Sequence, residues 1–323
     1  MTNEPLKKRR LGRTGFMVTP LGLGGAHLGR TGPGREDFDD DLAVRTVHRA
    51  LELGLNVIDT APLYGESQRR IGLALDEWYD SDRQRGDLII STKTGSEPDG
   101  TKHYSAEWTS QSVEKSLELL RTDYLDIVLV HDPPDLAPVF ETGGALEALL
   151  ELKSEGVIRA IGLGARPHEF HRRCIESGDF DVSLTFCDYN LLERSAAEGV
   201  LKPAVREDVG VYNGAAVMLG LLSGDDPQKV AGGLGGFATE ERVNQAAEMY
   251  NWCRQRDVDL LALNLQFCLR ETRIASTLLG AANPAQIEAD VEAVFEPIPG
   301  HIWREFHRQF DIEMPASHKN AHD

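Results

Sequence analysis

An apolar run followed by an amphipathic stretch recurs eight times between Pro20 and Val294. This alternation limits the fold more than any other feature of the chain. The runs are Pro20 to Gly25, Asn56 to Asp59, Leu88 to Thr92, Asp126 to Val130, Val157 to Gly162, Val182 to Phe186, Val209 to Tyr212 and Ile274 to Leu279. Each is short and bounded by turn formers, and all but the glycine-rich first carry β-branched residues, so each reads as a buried strand. The stretches between them repeat apolar residues at helical spacing. Asp41 to Leu53 is one, with Gly54 as its stop, and Ser67 to Trp78 is the next, with Ser67 as its expected cap. Helices are also expected from Ser105 or Thr109 onward, and over Gly144 to Ser154, Pro167 to Ser177 and Glu193 to Glu207. The last are Thr239 to Arg256, Leu260 to Arg270, Asn283 to Val294 and Trp303 to Phe310. Eight such units predict a (β/α)8 TIM barrel with extra C-terminal helices. A doubly wound sheet also alternates, but it wants Gly-x-Gly-x-x-Gly after its first strand. Here Gly22-x-Gly24 is followed by His27 where the third glycine belongs.

Before the first unit, Leu6 to Val18 reads as a β-hairpin turning at Gly12 to Gly15, placed to plug the bottom of the barrel. The 323 residues are expected to form a single domain, with a disordered tail after about 315. A formal charge of −18 excludes a phosphate-backbone partner and an anionic membrane surface. The one basic run, Lys7 to Arg10, reads as a solvated edge. The four cysteines form no C-x-x-C pair, so no metal site is expected. No apolar signal core and no run of about 18 apolar residues is present, which points to a cytoplasmic protein.

Three consecutive strands end in titratable residues: Asp59, Lys93 and His131. Tyr64 follows Asp59 in a Pro/Gly turn. In a parallel barrel the C-terminal strand ends converge on the face that carries chemistry. Taken singly, these residues read as a turn former, a loop charge, a structural histidine and a packing tyrosine. As a set they suit hydride transfer, which needs a proton donor or acceptor and a polariser for the substrate oxygen. Tyrosine ionises near pH 10, too high for a base at neutral pH. Lys93 is expected to lower that value by about two units, roughly 2.7 kcal/mol, with Asp59 fixing Lys93. A neutral His131 donates to the reacting oxygen.

The motif Asp59-Thr-Ala-Pro-x-Tyr64-Gly, then Ser-Thr-Lys93, then a strand ending in His131, resembles the Asp-Tyr-Lys-His tetrad of the aldo-keto reductases. The segment Leu279 to Ile287 resembles that family's contact with the adenosine end of its cofactor. The resemblance covers roughly residues 9 to 295. It implies an NAD(P)-dependent oxidoreductase in which Tyr64 is general acid in reduction and general base in oxidation. It also implies cofactor contacts at Gly25, Gly164, Asn190, Tyr212, Asn213, Gly214, Gly280, Asn283, Gln286 and Asp290. The chain departs from the family's common pattern at Gly164-Ala165, at Phe186 and at Tyr212 to Ala215. These departures, with Gly162-Leu163-Gly164 and Tyr189-x-Leu191-Leu192, resemble the sugar-oxidising branch around D-threo-aldose 1-dehydrogenase and L-fucose dehydrogenase.

The 2′-phosphate of NADP wants a basic residue. None lies between Arg273 and His301, Gln286 stands where the family often has Arg, and Asp290 would repel the phosphate. NAD is therefore the expected cofactor, with Lys229 of the long loop after the seventh strand as the residue that would reverse this. Tyr104, Trp108 and Trp303 are candidates to line a substrate pocket, His27 to reach a sugar hydroxyl, and Asp132 to Asp135 to order substrate hydroxyls. The expected reaction is oxidation of an aldose at C1 to the lactone. The alternatives are NADPH-dependent reduction of an aldehyde or ketone, pyridoxal-type carbonyls included, and a binding protein that senses nucleotide redox state.

Overall fold

The computed structural model describes residues 6–29, 39–79, 82–231 and 235–313. The expected tail after 315 lies outside them. Two short strands, β1 (Arg9–Arg10) and β2 (Met17–Val18), pair antiparallel as the expected hairpin. Eight more follow: β3 (Leu21–Gly24), β4 (Val57–Asp59), β5 (Ile89–Thr94), β6 (Leu125–His131), β7 (Ile158–Gly164), β8 (Val182–Phe186), β9 (Gly210–Gly214) and β10 (Ser276–Leu279). They pair in parallel in chain order, and β10 closes on β3. The TIM barrel is as expected.

The helices are α1 (Asp40–Glu52), α2 (Ser67–Trp78), α3 (Ala106–Leu120), α4 (Ala137–Phe140), α5 (Ala145–Ser154), α6 (His168–Ser177), α7 (Lys202–Arg206), α8 (Pro227–Val230), α9 (Glu240–Arg254), α10 (Leu260–Arg270), α11 (Pro284–Phe295) and α12 (Gly300–Phe310). Asp39, Ser105, Thr239, Asp259 and Asn283 cap theirs by accepting a backbone N–H. Ser67 does not cap α2. Its hydroxyl donates to the Gly25 carbonyl at 2.8 Å and bonds Thr60 Oγ1. The helix expected from Glu193 starts later, as a π-turn over Ala197–Leu201 that runs into α7. Asn190 Oδ1 and Glu193 Oε1 accept the backbone N–H groups of residues 192 to 195 and hold a turn there instead.

Side chains alternate across each strand, and this sorts the core. One face of each strand packs under the helices, as Ile58, Ile90, Val128, Val130, Ile161 and Leu163 do. The other fills the barrel with Val57, Ile89, Ile127, Leu129, Val182, Leu184, Tyr212 and Leu278. Leu11 and Val18 of the hairpin join this inner cluster, so the hairpin does plug the barrel floor. Gly210 makes room for it, because a Cβ there would meet Leu11 Cδ1 at 2.5 Å. Arg9 is not a solvated edge charge. Its guanidinium donates to the Leu269, Glu271 and Ile274 carbonyls and ties the hairpin to the end of α10.

Candidate active site

Strands β5 and β6 run further than their apolar residues suggest. Lys93 pairs with Leu129 and His131 with Gly164, so both lie inside the ladder rather than after it. Lys93 is two and four residues beyond Ser91 and Ile89. His131 stands likewise to Leu129 and Ile127. Both therefore point into the barrel, as Asp59 does two residues after Val57.

At this mouth Lys93 Nζ donates to Asp59 Oδ2 at 2.5 Å and to the Thr60 carbonyl at 2.8 Å. Ser91 Oγ donates to Asp59 Oδ1 at 2.9 Å. Ser91 was not singled out from sequence, although its spacing from Lys93 places it on the same strand face. The Lys93 ammonium lies 4.8 Å from the centre of the Tyr64 ring. Tyr64 ends a 3-10 turn, Pro62–Tyr64, that Gly65 closes at φ 61°. Its ring meets that of His131 edge-on, with centroids 5.8 Å apart. The structure thus brings the four expected residues together.

Burial works against the Lys93 ammonium, but Asp59 and Tyr64 outweigh it and hold its pKa above the ordinary value. Burial pushes the Asp59 carboxyl up, while Lys93 and Ser91 pull against it. Burial also raises the Tyr64 phenol; Lys93 draws it down and Asp59 pushes it up. The net direction for Tyr64 is upward, which corrects the expected fall of two units. The physical reason is burial of the phenol, which outweighs the pull of Lys93, with Asp59 adding a smaller push upward. Burial, Lys93 and Lys102 hold His131 well below its usual range, so its ring is neutral as expected. The His131 carbonyl accepts from both Ser96 Oγ and Tyr104 Oη at 2.7 Å. Tyr104 is therefore a brace behind His131, not a pocket wall.

The residues expected at the cofactor divide. Gly164 and Gly214 face inward at the mouth, where a Cβ would lie 3.6 Å from Lys93 Cε and 3.1 Å from Phe186 Cβ respectively. Gly280 is exposed, and a Cβ there would lie 3.6 Å from the His27 ring. Of these glycines, Gly164 leaves room next to Lys93. Gly25 does not: its missing Cβ makes room for Ser67 Oγ, 2.6 Å from where it would stand. Tyr212 is fully buried in the barrel core and its hydroxyl has no partner, so it is packing rather than a cofactor contact. Asn190 and Asn213 are fully buried. Asn190 Oδ1 holds the turn described above, and Asn213 Nδ2 donates to the Tyr189 carbonyl at 3.1 Å. Their other atoms, Asn190 Nδ2 and Asn213 Oδ1, are buried with no partner. Asn213 alternates with Tyr212 and Gly214, so its side chain lies on the outer face of β9 with Val211, under the helices, and is not the expected cofactor contact.

At the start of α11, Asn283 Oδ1 accepts from Gln286 N and Gln286 Oε1 accepts from Ala282 N. Asp290 is half-buried, and burial pushes its carboxyl up to about 7. Near neutral pH it is only partly charged, so the expected repulsion of a phosphate is weaker than its residue type suggests. Lys229 pairs with Asp226 at 3.7 Å. Trp303 is buried on α12 with the Arg270 guanidinium 3.4 Å above its ring, and takes no part in the mouth. Trp108 packs against the His103 ring at a tilt and donates to Glu97.

Behind the site His171 is fully buried, and its ring bonds the Ala165 carbonyl at 2.8 Å. Burial lowers its pKa from 6.5 to about 4. A group depressed in the folded state takes up its proton first in the unfolded chain. Its contribution is therefore present above pH 6.5 and is lost as the pH falls toward 4. Wild type should lose about 3 kcal/mol from this group over that interval. Urea midpoints at neutral pH and near pH 4 will measure the loss, and His171→Gln should flatten the slope.

A sequence model of the Aldo/keto reductase family matches residues 20–306. L-galactose dehydrogenase of Arabidopsis thaliana is 31% identical over 90% of this chain and 89% of its own. D-threo-aldose 1-dehydrogenase of a Pseudomonas species is 28% identical over 90% of this chain and 94% of its own. An aldo-keto reductase from Bacillus halodurans, solved in its holo form, superposes with a TM-score of 0.76 at 28% identity, covering 94% of this chain and 96% of that one. Among the described residues no helix is long and apolar enough to cross a membrane.

Proposed function

The chain belongs to the aldo/keto reductase family of nicotinamide-dependent oxidoreductases, and on that premise we propose that it oxidises an aldose at C1 to the lactone, with NAD as the preferred cofactor. The observation that carries the chemistry is Tyr64 set between the Lys93–Asp59 pair and a neutral His131. The sugar class is supported by the sugar dehydrogenases among the relatives, L-galactose dehydrogenase and D-threo-aldose 1-dehydrogenase included.

In this reading the C1 hydroxyl binds between Tyr64 Oη and a ring N–H of His131. Tyr64 in its ionised form takes the hydroxyl proton as the C1 hydrogen departs with its electron pair, and the substrate loses one proton and one hydride. Because the phenol is held above its ordinary value, this form is the minor one at neutral pH and oxidation should quicken toward alkaline pH. A bound nicotinamide supplies the hydride acceptor. His131, being neutral, donates to the oxygen without adding a charge that would compete with Lys93. Lys93 stabilises the phenolate through space, and Asp59 and Ser91 hold Lys93 still. Gly164 would leave room for the nicotinamide ring beside Lys93. Gly280, Asn283 and Gln286 would hold the adenosine end. The preference for NAD is supported by that end, where no Lys or Arg lies between Arg273 and His301 to meet a 2′-phosphate.

The test is the initial rate of reduced-nicotinamide formation with NAD and with NADP over a panel of aldoses. Turnover should favour NAD by about tenfold or more, the worth of one charge-assisted contact the site does not offer. A preference for NADP, or activity confined to reduction of simple aldehydes, would overturn the proposal.

A further inference from the structure

Directly after His131 the chain takes a conformation that its residue type disfavours. Asp132 sits at φ 45°, in the left-handed region where side chains other than glycine are uncommon. Four neighbours hold it there. Its N–H donates to the Gly164 carbonyl at 2.9 Å, its carbonyl accepts from Lys102 Nζ, and the carbonyl just before it is clamped by Ser96 and Tyr104. The result places the Asp132 carboxylate at the mouth, with Oδ2 3.7 Å from His131 Nε2. The side chain is 36% exposed. No hydrogen bond from the described residues reaches either of its oxygens, although its own backbone is fully engaged. Burial raises its carboxyl, and Lys102 and Lys93 draw it back.

A carboxylate with unused acceptor capacity, aimed beside the group that holds the reacting oxygen, is complementary to hydroxyl donors one or two carbons away. We infer that Asp132 is a substrate-recognition residue that accepts hydrogen bonds from the hydroxyl groups next to the reacting carbon. The inference rests on Tyr64 and His131 marking the reacting end. It assigns the site a preference for hydroxylated carbonyl compounds and their hydrates or lactols over plain aldehydes. A simple turn role for Asp132 would leave that preference untouched.

The experiment compares kcat/KM for reduction of glyceraldehyde and of propanal, which differ in the neighbouring hydroxyls. The proteins are wild type, Asp132→Asn, which keeps the shape and tolerates the left-handed backbone, and Asp132→Gly, which relieves the backbone altogether. Wild type should prefer glyceraldehyde, and in both variants that ratio should fall about tenfold to a hundredfold, the range for a hydrogen bond to a charged group. Equal losses on the two substrates would overturn the inference, since Asp132 would then act through His131 or Tyr64. So would a wild type with no preference, or one that reduces neither aldehyde. If wild type oxidises no aldose while the glyceraldehyde preference collapses in the variants, the aldose reading fails and the role of Asp132 stands.

Discussion

Tyr64→Phe should lower kcat by about 10²- to 10⁴-fold while cofactor binding, followed by quenching of protein fluorescence, stays within about twofold of wild type. The ring is retained, so its edge contact with His131 and its place over Lys93 are kept. Only the atom that carries the proton is removed. A protein that merely senses nucleotide redox state would bind the cofactor and show no turnover to lose. The ionisation of the same phenol is a second reading of the site. Burial holds it above its ordinary value, against the pull of Lys93 and with a smaller push from Asp59. Ultraviolet titration of wild type minus Tyr64→Phe should therefore show a tyrosine ionising on the alkaline side of 10. A phenolate appearing near neutral pH would sink the electrostatic account. It would mean that the ammonium reaches Tyr64 without its counter-ion.

Lys93→Met should cost about 3–5 kcal/mol of stability, because it leaves Asp59 buried with no opposite charge. The pair is almost wholly out of water, with 1% of the Lys93 side chain and 5% of the Asp59 side chain exposed. In the variant the burial that already pushes Asp59 up is no longer opposed by a cation. A carboxyl whose folded pKa lies above its unfolded one stabilises the fold at low pH, and that contribution is lost as the pH rises through the folded value. The deficit of Lys93→Met should therefore be largest at neutral and alkaline pH and shrink on acidification. Adding Asp59→Asn should restore part of the stability at neutral pH but none of the activity. Urea unfolding across pH measures this. A loss under about 1 kcal/mol at neutral pH would show that water or another cation reaches Asp59.

The barrel could be read from the chain because its cause is local. A buried parallel strand needs an unbroken apolar run and a helix needs a stripe at its own period, and both patterns repeat eight times. The order Asp59, Tyr64, Lys93, His131 is likewise a property of the sequence alone. What depends on neighbours far along the chain was not legible. The ladder carries β5 through Lys93 and β6 through His131 because Leu129 and Gly164 pair with them. That pairing, and not the residue types, turns both side chains inward. The missing side chain of Gly25 serves Ser67, forty-two residues on, rather than a ligand. Tyr212 looks like a site aromatic from its place at a strand end, yet strand alternation sends it into the barrel core. The sign of the Tyr64 shift depends on how much water the barrel excludes and, less, on how far Asp59 compensates Lys93. Sequence determined which groups the protein has and roughly where they lie along its strands. Only the closed barrel decided which of them meet and how they are charged, because burial and pairing are set by strands that adjoin in space and not in the chain.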